Sequence, residues 1–218
     1  MAENMTESPL WQPGPEQIKA AAITRFMAEA SSLSGRSLNT YKALWEWSVA
    51  DIQNFWALVW DFCEVIGEKG DRVVVDPERM PGARWFPEAR LNYAENLLRV
   101  RGPEKALVFW GEDKIKRHLS WDELYAGVSR CRQALVHAGV GQGDRVAGYL
   151  PNMPEAVIAM LATASLGAVW SSASPDFGVE GVMDRFGQIA PKVFFCADGY
   201  FYNGNVIDCM GKNREVAA

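Results

Sequence analysis

The apolar positions in the first third of the chain recur at the spacing of amphipathic helices. One helix is predicted from Pro15 to a stop at Gly35, and a second from Ser48 to a stop at Gly67. Asp51, three residues after Ser48, makes a weak capping-box match. The two apolar faces consist of Ile18, Ala22, Phe26 and Leu33, and of Ile52, Phe55, Trp56, Val59, Cys63 and Ile66. Six tryptophans lie within the first 85 residues, and we interpret them as core residues that pack helices on a sheet.

A different pattern, strands alternating with helices, begins near residue 104, after an irregular connector at 67–89 and a short helix in RLNYAENLLR. A hairpin of Lys105–Trp110 and Ile115–Leu119 is followed by a helix with a Ser120/Glu123 capping box. The later predicted elements are a strand at 145–150, a helix capped by Asn152 with Pro154 in its first turn, a strand at 168–171, a helix at 179–189 and a strand at 192–196.

This alternation predicts an α/β fold, a mostly parallel, doubly wound sheet with a helical N-terminal extension. We place the boundary between residues 1–98 and residues 99–218. The net charge of −5 supports this division, because it arises wholly from the acidic excess of the first part.

Composition narrows the classes of function. The chain has no basic stripe, so we expect no nucleic-acid partner. It has no apolar run of membrane-spanning length, and residues 1–17 show no signal-peptide pattern, so we expect a cytoplasmic protein without membrane contact. The four cysteines form no CxxC pair, and the first three are predicted to be buried free thiols.

Three segments invite a functional interpretation. Gly139, Gly141 and Gly143 look like a dinucleotide fingerprint, but they follow a helix and precede a strand, the reverse of the order required. The small residues 171–178 follow a parallel strand, and either bind a ligand or form an ordinary loop with Asp176 as helix cap. The aromatic, Asn- and Gly-containing segment 198–205 either stacks on an adenine or is a surface turn.

Chemistry that is missing from the sequence is equally informative. No Ser/Thr/Gly-rich loop followed by Lys is present to hold a triphosphate, and the two histidines support no nucleophilic triad. The carboxylate pairs Glu112-Asp113 and Asp122-Glu123 fall on turns or caps, where solvation or a favourable interaction with a helix dipole explains them. We therefore assign no catalytic residue and no metal ligand.

The amino-acid sequences of several segments resemble those of a known family. RWFPEA with LNYAENLL, and GDRVAGYLPNMPEAVIAMLATASLGAVWSSASPDFG, resemble the early part of the adenylate-forming acyl-CoA synthetases. ADGYFYNG, PLWQP and ASSLSGRSLNTYKALWEWSV are most similar to the acetoacetyl-CoA synthetases within that superfamily.

This resemblance implies a two-step acid–CoA ligase. ATP and an acid, here acetoacetate, would give an acyl-adenylate and diphosphate, and coenzyme A (CoA) would then displace AMP, with Mg²⁺ neutralising phosphate charge. It also implies that the chain corresponds to the N-terminal third of such an enzyme and is inactive alone. The alternatives are a non-catalytic CoA-binding or protein-interaction module derived from such an enzyme and, less favoured, an unrelated doubly wound nucleotide-binding protein.

The resemblance also implies which residues contact CoA. They are Ser174, Pro175, Tyr202, Asn203, Gly204 and Asn205. Related enzymes carry arginines in the second segment, whereas this chain has Tyr202 and Asn205. Because neither side chain carries a positive charge, phosphate binding is expected to be weaker or differently arranged.

Overall fold

The computed structural model describes residues 9–218, which fall into two units divided between Arg90 and Leu91. Residues 1–8 lie outside this range. They belong to the segment 1–17, for which the sequence shows no signal-peptide pattern. Within the described range, no helix is both long enough and apolar enough to cross a bilayer.

Within residues 9–90, the first unit contains four helices and one short antiparallel strand pair. Its elements are α1 (Pro15–Ala20), α2 (Ala22–Ser34), α3 (Tyr41–Ala50), α4 (Ile52–Phe62), β1 (Val74–Val75) and β2 (Arg84–Trp85). Its core consists of Phe26, Ala30, Leu38, Leu44 and Trp47. Edge-to-face contacts between Phe26 and the rings of Phe55 and Phe62 join α2 to α4.

Both predicted helices of this unit are in fact interrupted. The first breaks at Ala21, which is extended, and the Thr24 hydroxyl donates 2.6 Å to the Ile18 carbonyl at the break. The second does not begin at Ser48, which lies inside α3, and it ends at Phe62 before Gly67. Asp51 caps α4 instead, because its carboxylate accepts from the Asn54 amide.

The prediction of a tryptophan core packed on a sheet is wrong for most of these side chains. Trp47 is buried among helices, whereas Trp45, Trp56 and Trp85 are exposed. The cysteine prediction also needs correction. The four cysteines form no disulfide, as expected, but Cys63 and Cys196 are exposed.

The second unit begins with α5 (Tyr93–Leu97), the hairpin β3 (Lys105–Gly111) and β4 (Ile115–Ser120), and α6 (Trp121–His137). Its remaining elements are β5 (Arg145–Tyr149), α7 (Pro154–Ser165), β6 (Val169–Ala173), α8 (Val179–Ile189), β7 (Val193–Cys196), β8 (Gly199–Tyr202), β9 (Asn205–Asp208) and α9 (Met210–Ala217).

Three parallel strands in the order β6–β5–β7 form the central sheet, with helices on both faces. Val146 packs with α6 and α7 on one face, and Ala147 and Tyr149 pack with Val182 and Phe186 of α8 on the other. Alternating side chains of β5 thus supply both cores. The predicted α/β class, with a parallel, doubly wound sheet after a helical region, is confirmed.

Local predictions in this unit succeeded where capping chemistry was explicit. The Ser120 hydroxyl accepts from the Glu123 amide, and the Glu123 carboxylate accepts from the Ser120 amide, as the capping box predicts. The predicted cap Asn152 is wrong, because Met153 is the N-cap of α7 and Pro154 follows it. Proline suits this position because its missing N–H has no partner in a first turn anyway.

Candidate ligand-binding edge of the sheet

The carboxyl ends of β5, β6 and β7 place three connections along one edge of the parallel sheet. In open α/β sheets, ligands bind at this edge. Both ligand-binding segments predicted from the sequence belong to it: residues 174–178 form the loop after β6, and residues 199–208 form the hairpin β8–β9 that follows β7.

A buried tyrosine donates hydrogen bonds to the backbone of the loop after β6. Tyr149 is 1% exposed, and its hydroxyl lies 2.5 Å from the Phe177 carbonyl and 3.2 Å from the Pro175 carbonyl. Burial, with lesser effects of Cys209 and Asp176, raises the pKa of Tyr149, so its hydroxyl stays a donor. The side chain of Pro175 is buried, whereas that of Ser174 is exposed.

The tip of the hairpin β8–β9 is a two-residue turn. Tyr202 pairs with Asn205, and Asn203 and Gly204 between them have φ of 48° and 77°. Two positive φ values match a type I′ turn, the geometry that Asn-Gly favours. Tyr202, Asn203, Gly204 and Asn205 are all exposed.

A carboxylate already occupies the amides of this turn. The Asn203 amide donates 2.5 Å to Oε1 of Glu112, and the Gly204 amide donates 2.9 Å to Oε2. Glu112 lies in the β3–β4 turn and has a φ of 53°. It therefore connects the hairpin β3–β4 to the hairpin β8–β9. From the sequence alone we interpreted Glu112 as a solvated turn residue, which does not account for this contact.

A second carboxylate joins the hairpin to the loop after β6. The Tyr200 hydroxyl donates 2.5 Å to Oδ1 of Asp176, and the Ser174 hydroxyl donates 2.8 Å to Oδ2. Both bonds hold the pKa of Asp176 below its usual value, and the bond from Tyr200 has the larger effect. The same bond raises the pKa of Tyr200 to about 12. The structure therefore brings the two predicted segments together.

Asp176 is not the cap of the following helix, contrary to the loop interpretation drawn from the sequence. The N-cap of α8 is Gly178, and no side chain caps it. The carboxylate of Asp176 instead turns to Ser174 and Tyr200.

One lysine reaches the same loop from α9. Lys212 is half-buried, and its Nζ donates 3.1 Å to the Pro175 carbonyl. Its positive charge opposes the effects of Asp208, Asp198 and Asp176 on the Cys209 thiol, although burial is the largest cause that raises the pKa of Cys209. Several carboxylates and this lysine thus share one neighbourhood.

An aromatic cleft lies beside the hairpin. Its volume is about 560 Å³, within the range of small-molecule sites. Phe109, Tyr200 and Tyr202 contribute rings, and the ion pair of Arg117 with Glu155 lies at 2.5 Å on its wall. Across residues 9–218, no group of three His, Cys, Asp or Glu side chains is placed to hold a metal ion.

Sequence reasoning found the two segments but missed the groups that connect them. Tyr149 and Lys212 were not singled out, and Glu112 and Tyr200 were considered only as part of a carboxylate pair and of the segment 198–205. All four side chains contact residues 24 to 92 positions away. The Asn-Gly dipeptide was an available signal, because it is a strong indicator of a hairpin.

Comparison with known proteins agrees with this architecture. Residues 98–217 match the family model described as AMP-binding enzyme, and residues 41–97 match that of the acetyl-coenzyme A synthetase N-terminus. Among relatives, the chain is 54% identical over 211 residues to an acetoacetyl-coenzyme A synthetase of Rhizobium meliloti, a match that covers 97% of this chain and 32% of that protein.

Two further similarities point the same way. An acetoacetyl-CoA synthetase of Macaca fascicularis is 40% identical over 212 residues, covering 95% of this chain and 31% of that protein. The solved structure of the acetoacetyl-CoA synthetase from Streptomyces lividans matches with a TM-score of 0.89 and 44% identity, covering 96% of this chain and 33% of that chain. The chain spans about a third of the length of these relatives. Since the AMP-binding match alone covers more than half of its residues, the chain belongs to the AMP-binding enzyme family.

Proposed function

We propose that these residues serve an acid–CoA ligase of the acetoacetate type, which converts ATP, acetoacetate and CoA to acetoacetyl-CoA, AMP and diphosphate. The observation that carries this proposal is the 54% identity to an acetoacetyl-coenzyme A synthetase over 97% of the chain. Within this proposal, residues 1–98 are an N-terminal extension and residues 99–218 the first part of the AMP-binding domain. We propose a cytoplasmic location, where ATP and CoA are both available.

In this proposal, the edge of the sheet contacts CoA. The contacting residues are Ser174, Pro175, Tyr202, Asn203, Gly204 and Asn205. The bond between Tyr200 and Asp176 supports a shared site, because it holds the two segments against each other. Pro175 acts by shaping the loop, since its side chain is buried. The turn contacts an uncharged part of CoA, since Glu112 already takes its amides.

ATP and Mg²⁺ belong to the proposed reaction, but the described residues offer no fitting site for either. They contain no group of three metal-ligating side chains, and the sequence has no Ser/Thr/Gly-rich loop followed by Lys. We therefore assign no step through these groups to this chain, and we expect the 218 residues alone to form no AMP from ATP and acetoacetate.

A chimeric enzyme tests this function. The matched region of the Rhizobium meliloti relative is replaced by this chain, and acetoacetate- and CoA-dependent AMP formation is measured. We expect an active ligase. A folded but inactive chimera would contradict the proposal and favour a non-catalytic module.

Site variants of the chimera test the assignment to CoA. Tyr202→Ala and Asn205→Ala should raise KM for CoA and leave acetoacetate-dependent exchange of diphosphate into ATP unchanged. Tyr93→Ala, at another exposed tyrosine, is the control and should change neither. Loss of the exchange reaction in the Tyr202 and Asn205 variants would place these residues in the adenylation step instead.

A further inference from the structure

Among residues 9–218, one ammonium group lies within hydrogen-bond reach of the loop after β6. Nζ of Lys212 lies 3.1 Å from the Pro175 carbonyl. A lysine ammonium has three donors, and this bond uses one of them. Lys212 is half-buried, which limits the movement of its side chain and weakens screening by salt. The remaining donors are therefore available beside Ser174 and Pro175.

Several other donors near this loop are already engaged. The amides of Asn203 and Gly204 donate to Glu112, and the hydroxyl of Tyr200 donates to Asp176. A second cation, Arg185, lies 4.4 Å from the centre of the Phe177 ring and donates to the Gly181 carbonyl. An incoming anion would have to displace the contacts of the turn amides and of the Tyr200 hydroxyl, whereas Lys212 can add a bond without losing one. Arg185 is exposed and lies over the Phe177 ring, whereas Lys212 is half-buried at the Pro175 carbonyl.

The charges of the neighbourhood make this lysine important for an anion. Asp176 keeps its negative charge at neutral pH, because its hydrogen bonds hold its pKa low. Asp198 and Asp208 act on the same Cys209 thiol as Lys212 does. Without Lys212, the carboxylates of this edge would repel a phosphate.

We infer that Lys212 binds a phosphate group of CoA beside the Ser174–Pro175 loop, and so supplies the positive charge that positions 202 and 205 lack. This inference rests on the proposed function, because it presupposes that CoA binds at this edge. It explains how a site whose turn residues Tyr202 and Asn205 carry no positive charge can still hold an anionic substrate.

The inference is tested by ¹⁵N chemical-shift titrations of the full 218-residue chain. The probes are CoA, dephospho-CoA, which lacks the 3′-phosphate, and pantetheine, which has no phosphate. In the parent chain, CoA should shift the amides of both segments and bind more tightly than pantetheine. Lys212→Met should reduce that preference about tenfold, the size of a charge-assisted hydrogen bond, and Lys212→Arg should keep most of it. The dephospho-CoA titration identifies which phosphate is bound.

Two variants supply the controls. Arg185→Met removes an equal charge beside the same loop and should keep the preference for CoA over pantetheine. Glu112→Gln removes the negative charge at the turn; if the phosphate bound to the turn amides, this variant would strengthen the preference. Spectra without ligand verify that Lys212→Met keeps its fold away from the loop.

The outcomes separate the inference from the proposed function. If CoA shifts both segments but Lys212→Met retains the parent preference, the role of Lys212 is refuted while the CoA site stands. A loss of preference in Arg185→Met instead, or a gain in Glu112→Gln, also overturns it. If CoA shifts neither segment in the parent chain, the proposed CoA site falls together with the inference.

Discussion

Gly199 allows the two strands of the β8–β9 hairpin to approach each other at the start of β8. A Cβ atom at this position would lie 2.5 Å from the carbonyl oxygen of Ile207 and 3.5 Å from its carbonyl carbon. The obstructing atoms belong to the backbone of the partner strand, so no side-chain rotation relieves the overlap. Gly199→Ala therefore forces the strands apart where Gly199 pairs with Asp208.

The expected cost follows from the size of this overlap. The contact must lengthen by at least ~0.5 Å to reach the shortest distance that Cβ atoms tolerate, and overpacking of this kind costs about 1–3 kcal/mol. If the hairpin bears that cost, its open state becomes about 5- to 150-fold more populated, since about 1.4 kcal/mol is tenfold. Opening would also release Tyr200 from Asp176 and the turn amides from Glu112.

Peptide-resolved hydrogen exchange on the full chain measures this opening. Amides of residues 200–208 should exchange about 5- to 150-fold faster in Gly199→Ala than in the parent chain. Gly187→Ala is the matched control, because Gly187 is an exposed residue of α8 where an added Cβ atom would have nothing within 4 Å. It should slow exchange in α8, since alanine in a helix interior is about 0.5–1 kcal/mol more stable than glycine.

A clear result would refute this reasoning. If Gly199→Ala leaves exchange across the hairpin at the parent rate while Gly187→Ala protects α8, the strands do not approach as closely as described. A parent-like hairpin would also remove the main structural reason for glycine at position 199.

Three further predictions concern caps and titrating groups. Ser120→Ala should lower the free energy of unfolding by about 1 kcal/mol in urea titrations, because α6 loses its cap; an unchanged midpoint would contradict this. The pKa of Asp144 lies below its ordinary value of 3.8, chiefly because Lys192 donates to its carboxylate and secondly because the Gly141 amide does. The ionised carboxylate therefore stabilises the fold above that pH, and this contribution is lost as the pH falls. Asp144→Asn should therefore show a smaller loss of stability between about pH 5 and pH 2.5 than the parent, and an identical loss would refute the assignment. Absorbance titration should show that Tyr200 ionises with a pKa of about 12. Its bond to Asp176 stabilises the fold below pH 10, and this stabilisation is lost as the pH rises through 12. Asp176→Asn should return the pKa of Tyr200 toward 10, and a titration that does not change would exclude this bond.

The parts of the fold that the sequence predicted well are those specified by local chemistry. The capping box of Ser120 and Glu123, and the strands and helices at 105–196, rest on periodicity and on side chains close in sequence. The helices of the first unit were misjudged, because their apolar pattern continues through Ala21 and Asp51. A side-chain hydrogen bond lies at each break, from Thr24 to the Ile18 carbonyl and from the Asn54 amide to Asp51.

The candidate site was predictable only in part, because its segments and the groups that fix them are far apart in sequence. Small residues after a strand and an aromatic Asn-Gly segment marked the loop and the hairpin. Nothing local indicates that Glu112 reaches residues 91 and 92 positions later, or that Tyr200 reaches back 24 residues to Asp176. Such contacts require the order of the strands, which periodicity does not supply.

The neutral residues of the turn and its carboxylate clamp are physically connected. Glu112 accepts both turn amides, and Asn205 donates its side-chain amide 3.2 Å to the Asn203 carbonyl within the same turn. An arginine at position 205 would offer Glu112 a bidentate ion pair in competition with those amides. We therefore expect a neutral residue at position 205 to preserve the contacts of Glu112 with the turn. In our proposal, the positive charge for an anionic ligand comes from another element. In that proposal the element is α9, because the ammonium of Lys212 lies within hydrogen-bond distance of the Pro175 carbonyl. Among residues 9–218, Glu112 accepts from the Asn203 and Gly204 amides and forms no ion pair with Lys212.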